Sequence, residues 1–482
     1  MTDRSFNACI SSIVQKFCLK CFNFIGRCDL PLIFYTMKKE YKVILVSMSG
    51  VRVFNEKLLK TGLTLPGFVD RSRVIASLPS LGLLTLAAHT PDAWEVIYRE
   101  LDAYTDDDIA DILNEKPNIV AFSALTSRIN ETYELAAQFR KQGVTVVMGG
   151  LHVSALPDEA IAHADAVVQG ECEMLWKILL KDYESNTLKA LYSSLTEPKM
   201  AFHLEDSKVP AYDLLDISNY NRLTIQTTRG CPHDCHFCAA SRTISDYKKK
   251  PIKLIKKELD KIFEIWDNPF IELADDNTFV DKEWSKDLLR LFTNYKMKWF
   301  TETDISIACD DELLELLAKS NCMQVLIGLE SVNFDSIKGL DGGWKSKQFK
   351  NYSKAIDKIQ SYGITVNGCF VLGFDSDTKE TFRETEQFIR ESHLSDVQIT
   401  ILTAFPCTDL YQQLKNEGRL LTDYWDKCTL FDVTYQPKNF SVEELEDEFQ
   451  NLMTHVYSDE MVIRRKEIFK QTLLNRKKFI AT

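Results

Sequence analysis

Three cysteines within eight residues, Cys231, Cys235 and Cys238, constrain this chain more than any other feature of its sequence. They follow an apolar run at residues 223–227, which predicts a buried strand, and Gly230 bends the chain after that strand. The three thiols therefore lie on one loop at a strand end. Thiolates on so short a loop can converge on one soft metal centre.

The number of ligands indicates which metal centre this is. A closed iron–sulfur site needs four cysteines, so a [4Fe–4S] cluster held by three would keep one iron open, which indicates chemistry rather than structure. A structural zinc, with His233 or His236 as fourth ligand, is the alternative. Zinc sites usually pair two separated ligand couples, and no second CxxC or HxxxH lies nearby in the sequence. A chance arrangement without metal is the third alternative.

Composition limits the other possible functions. The net charge of −12 argues against a nucleic-acid-binding surface, which needs a basic face. The 13 cysteines are scattered without an even framework, which predicts a reducing, cytoplasmic location with metal-bound or unbridged thiols. The 482 residues predict two or three domains. No apolar run is long enough to cross a bilayer.

Residues 1–36 differ from the rest of the chain. Residues 10–24 resemble a weak targeting segment. Met37 looks like a natural start that leads directly into the first predicted strand. We expect residues 1–36 to be an appendage, and their cysteines match no ligand spacing: Cys9, Cys18, Cys21 and Cys28.

Residues 37–180 alternate strands and helices. Buried strands are predicted at residues 43–46, 94–98, 119–123, 144–148 and 166–168. Helices are predicted between and after them at residues 81–88, 106–113, 130–142, 157–163 and 174–183. This rhythm implies a parallel sheet covered on both faces, whose ligands bind at the carboxyl ends of the strands. The polar residues there are Ser123, Thr126, Gly149, Gly150, His152, Gly170 and Glu171.

Residues 181–221 read as a linker, after which the units become longer. Six strands are predicted at residues 223–227, 270–274, 297–301, 323–328, 365–372 and 397–402. The helices between them are predicted at residues 252–266, 282–294, 311–320, 347–362 and 378–392. Six such units predict a partial (βα)6 barrel over residues 222–408, with its site at the carboxyl ends of the strands. Residues 409–482 read as a helical C-terminal region.

The loop at residues 231–238 resembles the cluster-binding loop of the radical S-adenosylmethionine superfamily. The resemblance implies that S-adenosylmethionine chelates the open iron and is cleaved to a 5'-deoxyadenosyl radical, which abstracts hydrogen from an unactivated carbon. It also implies an external electron donor such as a flavodoxin or ferredoxin.

Acidic residues after three barrel strands suit this cosubstrate. Asp275 and Asp276 follow the second strand and can bind the ammonium group through charge-assisted hydrogen bonds, although adjacent loop acids are often simply solvated. Asp304 and Glu330 follow the third and fourth strands and can hold ribose hydroxyls or the ammonium. The resemblance favours Glu330.

Two glycines and one aromatic residue complete the predicted S-adenosylmethionine site. Gly368 lies within the fifth strand and Gly373 directly follows it, and glycine there lets the backbone approach a planar ligand such as adenine. Phe237 occupies an aromatic position that the superfamily uses beside adenine. Plain packing is the alternative role for Phe237.

The region 37–180 resembles the cobalamin-binding domain that precedes many radical enzymes of this superfamily. The matching pieces are residues 77–82, 123–126, 149–152 and 170–173. The Asp-x-His-x-x-Gly motif that ligates cobalt in other cobalamin domains is missing from this sequence. The resemblance implies bound cobalamin, and a degenerate Rossmann-like domain without cobalamin is the alternative. His152 either touches the cofactor or is a hydrogen-bonded loop histidine.

The sequence thus predicts an α/β chain with a Rossmann-like cobalamin-binding domain, a partial TIM-like radical S-adenosylmethionine barrel and a helical tail. We expect a cobalamin-dependent C-methyltransferase acting on a small-molecule or lipid substrate. A radical cyclase or rearranging enzyme is the first alternative, and a non-catalytic iron–sulfur or zinc protein is the second. The basic helix at residues 462–479 is either a surface for an anionic substrate or membrane, or a solvated helix that closes the barrel.

Overall fold

The computed structural model describes residues 39–48, 50, 53–54, 58, 78–240, 243–338, 340 and 343–480. The predicted appendage at residues 1–36 and the first residue of the 77–82 run lie outside the described residues. Residues Glu40–Thr482 form one compact unit. Within the described residues, no helix is both long and apolar enough to cross a membrane.

The first sheet has six parallel strands in the order β2-β1-β3-β4-β5-β6. Its central strand β1 is fully buried from Val43 to Val46, and separate apolar clusters cover the two faces. This confirms the predicted double covering. The strands are β1 (Tyr41–Met48), β2 (Trp94–Leu101), β3 (Ile119–Ala124), β4 (Thr145–Gly149), β5 (Ala166–Gln169) and β6 (Leu191–Ser193). The helices are α1 (Leu81–His89), α2 (Asp106–Asn114), α3 (Ile129–Lys141), α4 (Leu151–Ala155), α5 (Pro157–Ile161) and α6 (Glu173–Glu184).

Strand β6 corrects the prediction that residues 181–221 are only a linker. It pairs in parallel with β5, and Ser193 Oγ donates to Gln169 Oε1 at 2.8 Å. Three residues are too few to show an alternation of apolar and polar side chains in the sequence. The strand forms through its parallel pairing with β5. The rest of this stretch forms short 3-10 turns, and the buried Tyr212 hydroxyl donates to Thr224 O at 2.8 Å. This bond fastens the stretch to the second sheet.

The second sheet has six parallel strands in sequence order, β7-β10-β11-β12-β13-β14. In the described residues its edge strands β7 and β14 do not pair with each other. A two-stranded antiparallel hairpin, β8–β9, was not predicted. The strands are β7 (Leu223–Ile225), β8 (Thr228–Arg229), β9 (Lys248–Lys249), β10 (Phe270–Leu273), β11 (Lys298–Thr303), β12 (Cys322–Glu330), β13 (Thr365–Leu372) and β14 (Asp396–Ile401).

Helices cover the outer face of this sheet. The predicted helix at 347–362 is split by a 3-10 turn at Phe349–Asn351. The helices are α7 (Ile252–Ile265), α8 (Lys282–Phe292), α9 (Asp311–Lys319), α10 (Phe334–Ile337), α11 (Trp344–Gln348), α12 (Tyr352–Ser361) and α13 (Lys379–Glu391). Side chains alternate along β11: Trp299 and Thr301 are buried against the helices, whereas Phe300 and Glu302 lie on the other, inner face. The sheet thereby presents polar side chains inward.

The C-terminal region contains α14 (Asp409–Asn416), α15 (Val442–Val456) and α16 (Asp459–Ile480). Helix α16 is the predicted basic helix, and three of its arginines donate to backbone carbonyls. Arg476 Nε donates to Gly363 O at 2.7 Å, and Arg465 Nη1 donates to Val456 O at 2.7 Å. Arg464 donates to the carbonyl of Arg390. Arg464 and Arg476 therefore fix the helix to the barrel, and Arg465 fixes it to α15. The exposed positive charge of the helix comes from lysines.

Removing the Trp299 side chain should destabilise the second sheet. The ring is fully buried, and its Nε1 donates to Ser320 O at 2.8 Å. We expect Trp299→Ala to cost about 3–5 kcal/mol of unfolding free energy. Trp299→Phe should cost less, because it keeps most of the volume and loses chiefly the hydrogen bond. Denaturant unfolding measures both, with the exposed Leu195→Ala as control; equal midpoints for Trp299→Ala and the control would contradict the prediction.

Candidate functional site

The three cysteines lie on the loop between β8 and β9, all partly buried and none in a disulfide. Cys238 N donates to Cys235 O at 3.0 Å, which closes a turn between these two thiols. Burial raises the pKa of Cys231. In the described part of the chain, no three His, Cys, Asp or Glu side chains are already arranged around a common metal position. Three soft thiols on one eight-residue loop nonetheless fit an iron–sulfur cluster with one open iron.

Asp275 fixes the strand end that leads into this loop. Its Oδ1 accepts from Thr227 N at 2.7 Å and Thr228 N at 3.0 Å, and its Oδ2 accepts from the hydroxyls of Thr227 and Thr278. Both oxygens of this buried carboxylate are therefore engaged by the protein. The prediction that Asp275 binds an ammonium group is replaced by a role in positioning the loop.

A buried ion-pair cluster joins the cysteine loop to the first sheet. Arg229 donates to Glu171 Oε1 at 3.0 Å and to Glu173 Oε1 at 2.6 Å. Lys248 Nζ lies 2.9 and 2.7 Å from the two oxygens of Glu171 and also donates to Phe202 O at 3.0 Å. Glu171 follows β5, and Arg229 and Lys248 face each other in the β8–β9 hairpin. We call these four charged residues the Arg229 cluster.

Glu171 was predicted to contact cobalamin, and the structure gives it other partners. Burial opposes its ionisation, but Lys248 and Arg229 together lower its pKa, so it is a carboxylate at neutral pH. Phe202 N also donates to Glu171 Oε2 at 3.0 Å. The carboxylate therefore holds the cysteine loop against the first sheet rather than standing open to a cofactor.

Gly230 lies between the Arg229 cluster and the first cysteine, and its backbone has φ = 77°. A Cβ atom there would lie 2.7 Å from the carbonyl oxygens of Ser245 and Asp246. Both the left-handed conformation and the close backbone approach require glycine. The first cysteine is thus fixed by its neighbours on the chain.

Asp304 and His233 occupy one corner of the inner face. Asp304 accepts from Asn277 Nδ2 at 2.9 Å and Ser306 N at 2.8 Å, and His233 Nε2 lies 3.7 Å from it. Although burial opposes it, the neighbouring His233 and the hydrogen bonds from Ser306 and Asn277 lower the pKa of Asp304. The His233 ring lies 5.0 Å from that of Trp344. His233, a fourth ligand in the zinc alternative, is therefore engaged elsewhere.

Glu330 ends β12 with φ = 65°, a left-handed backbone that costs a non-glycine residue of order 1–3 kcal/mol. Its carboxylate forms an ion pair with the buried Lys345. Burial opposes the charge of Lys345, but Glu330 raises the pKa of that lysine, so the ammonium is retained. Backbone strain beside a buried ion pair is typical of functional positions. Asp276 lies nearby, half-buried.

Glu302 stands on the inner face between these acids. Its side chain is open to the concave side of the sheet, yet protein surrounds it. Burial and the charges of Glu272, Asp276 and Glu330 raise the pKa of Glu302 to about 7. The charge of Glu302 therefore changes near neutral pH.

The predicted glycines of β13 serve packing in this structure. A Cβ at Gly368 would lie 2.9 Å from Leu394 and 3.1 Å from Leu329, so this glycine admits outer-face side chains. Gly373 has φ = 107°, and its carbonyl accepts from the Tyr435 hydroxyl. Their predicted approach to adenine stays a prediction.

Phe237 packs edge-on against Phe374, with ring centroids 5.9 Å apart. It adjoins an apolar cluster that includes Leu410 of α14. Beside it, His236 O accepts from Leu410 N at 3.1 Å. The C-terminal region therefore supports the cysteine loop from one side, and a packing role for Phe237 has direct contacts.

The remaining predicted cobalamin residues lie at the carboxyl edge of the first sheet. Ser123 and Gly149 are in register between β3 and β4. Gly150 has φ = 108°, and a Cβ there would lie 3.3 Å from Ser123 Oγ. The neighbouring Leu125 and Leu151 are 49% and 43% exposed. A backbone-lined edge with exposed apolar side chains fits the broad face of a corrin ring.

His152 is fully buried beside this edge, with Nε2 3.2 Å from Glu159 Oε1. Its ring lies 5.0 Å from that of Trp425, which comes from the C-terminal region. These are the contacts of a buried, hydrogen-bonded histidine, which lies in the short helix α4 and not in a loop. Thr126 is buried at the start of a 3-10 turn, and Gly170 has φ = 83°.

Sequence reasoning missed three charged residues of this site: Arg229, Lys248 and Lys345. Arg229 directly precedes Gly230, so its position beside the cysteines was a usable signal. Its partners at Glu171 and Glu173 lie more than fifty residues away, and no local pattern connects them. Lys345 became visible only through the folded inner face.

Three stretches of the chain match known families. Residues 72–178 match the B12 binding domain, residues 225–389 match the Radical SAM superfamily, and residues 408–480 match a domain of unknown function, DUF4070. These matches confirm the predicted resemblance and the order of the first two domains.

Two characterised relatives are methyltransferases by name. Bacteriochlorophyllide d C-8(2)-methyltransferase of Chlorobaculum tepidum is 29% identical over 374 residues, which are 75% of this chain and 81% of that protein. Hopanoid C-2 methylase of Rhodopseudomonas palustris is 29% identical over 367 residues, which are 73% of this chain and 67% of that protein.

The fold is similar to that of the radical S-adenosylmethionine methyltransferase TsrM from Kitasatospora setae, solved with cobalamin and a [4Fe–4S] cluster bound. The TM-score is 0.64 at 13% identity, over 92% of this chain and 100% of that chain. At this identity the likeness establishes the fold, and it confirms the predicted α/β architecture.

Breaking the Arg229 cluster should destabilise the protein. Arg229→Met leaves Glu173 buried without its cation, which should cost about 3–5 kcal/mol. Arg229→Lys keeps the charge but not the two-pronged geometry, so we expect an intermediate loss. Thermal unfolding measures the series, with the exposed Arg99→Met as control. If Arg229→Met had the same melting temperature as the control variant, the Arg229 cluster would have no structural role.

Glu302 should make stability fall as pH rises. Its folded pKa of about 7 lies above the ordinary value of 4.5, so the folded protein keeps a proton that the unfolded chain releases. The loss in free energy of unfolding therefore grows as the pH rises between these two values, and it is complete above pH 7. Glu302→Gln should raise the melting temperature at about pH 8 and leave it nearly unchanged at about pH 4. An equal shift at both values, or the same response from the exposed Glu205→Gln, would refute this assignment.

Proposed function

We propose that this chain, a radical S-adenosylmethionine protein with a B12-binding domain, is a cobalamin-dependent C-methyltransferase. The observation that carries the proposal is the Arg229 cluster. It fastens the loop bearing Cys231, Cys235 and Cys238 directly to the loop that follows β5 at the cobalamin edge of the first sheet. A chain that fixes these two edges together suits a reaction that uses both cofactors on one substrate.

Different side chains would bind the three cofactors. Cys231, Cys235 and Cys238 would hold the cluster, while Asp276, Asp304 and Glu330 offer acceptors for the ammonium and hydroxyls of S-adenosylmethionine. The apolar edge at Leu125 and Leu151 would face the corrin. When bound, the cluster with S-adenosylmethionine supplies a carbon radical and cobalamin supplies a methyl group. The protein positions these groups and limits the access of water.

The names of the relatives support a proposal for the substrate class. The two relatives act, by their names, on a bacteriochlorophyllide and a hopanoid, which are large and mostly apolar molecules. We propose a substrate of this kind, a tetrapyrrole or a polycyclic lipid, methylated at an unactivated carbon. The scattered cysteines support a cytoplasmic location, where the thiols stay reduced.

We further propose that any membrane contact uses the exposed face of α16. Lys466, Lys470 and Lys477 are exposed on that helix, together with Ile463 at 57% and Leu474 at 46%. An anionic lipid surface would attract the lysines and accept the two apolar side chains.

Loss of one cluster cysteine should abolish cleavage of S-adenosylmethionine. After anaerobic reconstitution with iron and sulfide and reduction with dithionite, the wild type should form 5'-deoxyadenosine, whereas Cys235→Ala should fall to background. Cys309→Ala, an exposed cysteine outside the loop, is the matched control and should behave as wild type. Formation of 5'-deoxyadenosine by Cys235→Ala at the wild-type rate would end the proposal.

Two further readouts separate methyl transfer from the alternatives. Wild-type protein should retain cobalamin through gel filtration, and Gly150→Val should not, because valine disfavours φ = 108°. A methylated product made with methyl-deuterated S-adenosylmethionine should carry the label. An unlabelled, cyclised or rearranged product would favour the cyclase alternative, and protein that never binds cobalamin would remove methyl transfer.

A further inference from the structure

The five-residue helix α4 lies at the cobalamin edge of the first sheet. It begins directly after Gly150, and Leu151 at its first position is 43% exposed. A helix this short is not stable on its own, so the position of α4 depends on what packs against it. The contacts of α4 therefore determine how Gly150 and Leu151 are presented to a ligand.

One set of contacts ties α4 to the sheet of its own domain. Gly170 N donates to Ser154 Oγ at 2.9 Å, and Gln169 Nε2 donates to Ser154 O at 2.9 Å. These two bonds join the last turn of α4 to the end of β5. They are contacts within one α/β domain.

A second set of contacts comes from outside this domain. The ring of Trp425, in the C-terminal region, lies edge-on to that of the buried His152, with ring centroids 5.0 Å apart. Cys407, in the turn that leads into the C-terminal region, donates through Sγ to Ala155 O at 3.6 Å. His152 and Ala155 lie near opposite ends of α4. Partners that are more than 250 residues away in the chain thus meet α4 at both ends.

The position of Trp425 is fixed by its own neighbours. Its ring centroid lies 4.6 Å from that of Tyr424 and 6.2 Å from that of Tyr411. The next residue, Asp426, accepts from Asn130 Nδ2 of α3 at 3.1 Å. Trp425 therefore packs on His152 from a segment that is itself bonded to the first domain.

Glu159 of α5 fixes the other side of the histidine. Its Oε1 lies 3.2 Å from His152 Nε2 and accepts from the Tyr133 hydroxyl at 3.0 Å. Although burial opposes it, His152, Tyr133 and Trp425 lower the pKa of Glu159, which is therefore a carboxylate at neutral pH. His152 is thus held between a carboxylate and an indole ring. A C-terminal region that only closed the barrel would need no such contact with α4.

We propose that Trp425 is a positioning residue for cobalamin: by packing on His152 it fixes α4, so that Gly150 and Leu151 can hold the corrin. The contact acts on binding of the cofactor alone, and no bond forms or breaks in it. It gives the C-terminal region a part in cofactor binding. The proposal rests on the proposed function, because it requires cobalamin at this edge.

Titration of the reduced, cluster-reconstituted full chain with hydroxocobalamin tests the proposal. We expect Trp425→Ala to bind hydroxocobalamin about tenfold or more weakly than wild type, because α4 loses the ring that packs on His152. Trp425→Phe should recover most of the affinity, since a phenyl ring can still meet the imidazole edge-on. The matched control is Trp284→Ala, which removes another half-buried tryptophan, on α8 of the barrel, and should leave the affinity unchanged.

Hydrogen exchange in the cobalamin-free protein measures the effect on α4 itself. Trp425→Ala should raise the exchange rate of the backbone amides at residues 151–155 and leave those of β11 unchanged. Equal affinity of Trp425→Ala and wild type for hydroxocobalamin would overturn the proposal. So would equal weakening by Trp284→Ala, since the loss would then reflect general destabilisation.

Cleavage of S-adenosylmethionine separates this proposal from the proposed function. With dithionite, Trp425→Ala should still form 5'-deoxyadenosine at the wild-type rate, because the change leaves the cysteine loop and the inner-face acids in place. Loss of 5'-deoxyadenosine in this variant alone would show a general folding defect and overturn the positioning role, while the proposed function would stand. A wild type that binds no hydroxocobalamin would refute methyl transfer and the positioning role together.

Discussion

The Arg229 cluster sets the geometry on which the rest of the structure depends. Removing four charged groups from water is expensive, and buried ion pairs are seldom the cheapest way to stabilise a fold. These ion pairs determine the relative orientation of the two segments that they join. The guanidinium binds two carboxylates at fixed angles, whereas apolar contacts would allow the segments to slide past each other. Glu171 and Glu173 flank the start of α6, and Arg229 directly precedes the cysteine loop. The two edges that would carry the cofactors are therefore held in one orientation.

Local contacts also position the cysteine loop. Asp275 secures the end of β7 through Thr227 and Thr228, and Gly230 then turns the chain against the backbone at residues 245–246. The loop that follows is supported from the C-terminal region through Leu410. The thiols thus lie on a segment whose entry is fixed by these bonds.

Features that depend on residues close together in the chain could be predicted from the sequence. Apolar strands of four or more residues, the cysteine spacing and the order of the two domains could all be read from it. Signals that depend on distant partners could not: β6 is too short to show a period, and Glu171 was read as a cofactor contact because its partners Arg229 and Lys248 come much later in the chain. His152 was ambiguous for the same reason, since Trp425, which packs on its ring, follows almost three hundred residues later. At Gly368 the structure shows a local use for glycine, because a Cβ there would lie 2.9 Å from Leu394.

The charges on the inner face of the barrel suit a positively charged ligand. The inner face gathers Asp276, Glu302, Asp304 and Glu330, and Lys345 neutralises only one of them directly. Burial and this crowding of negative charge raise the pKa of Glu302, and a positively charged ligand would relieve the repulsion. S-adenosylmethionine carries a sulfonium and an ammonium, and its arrival would lower that repulsion.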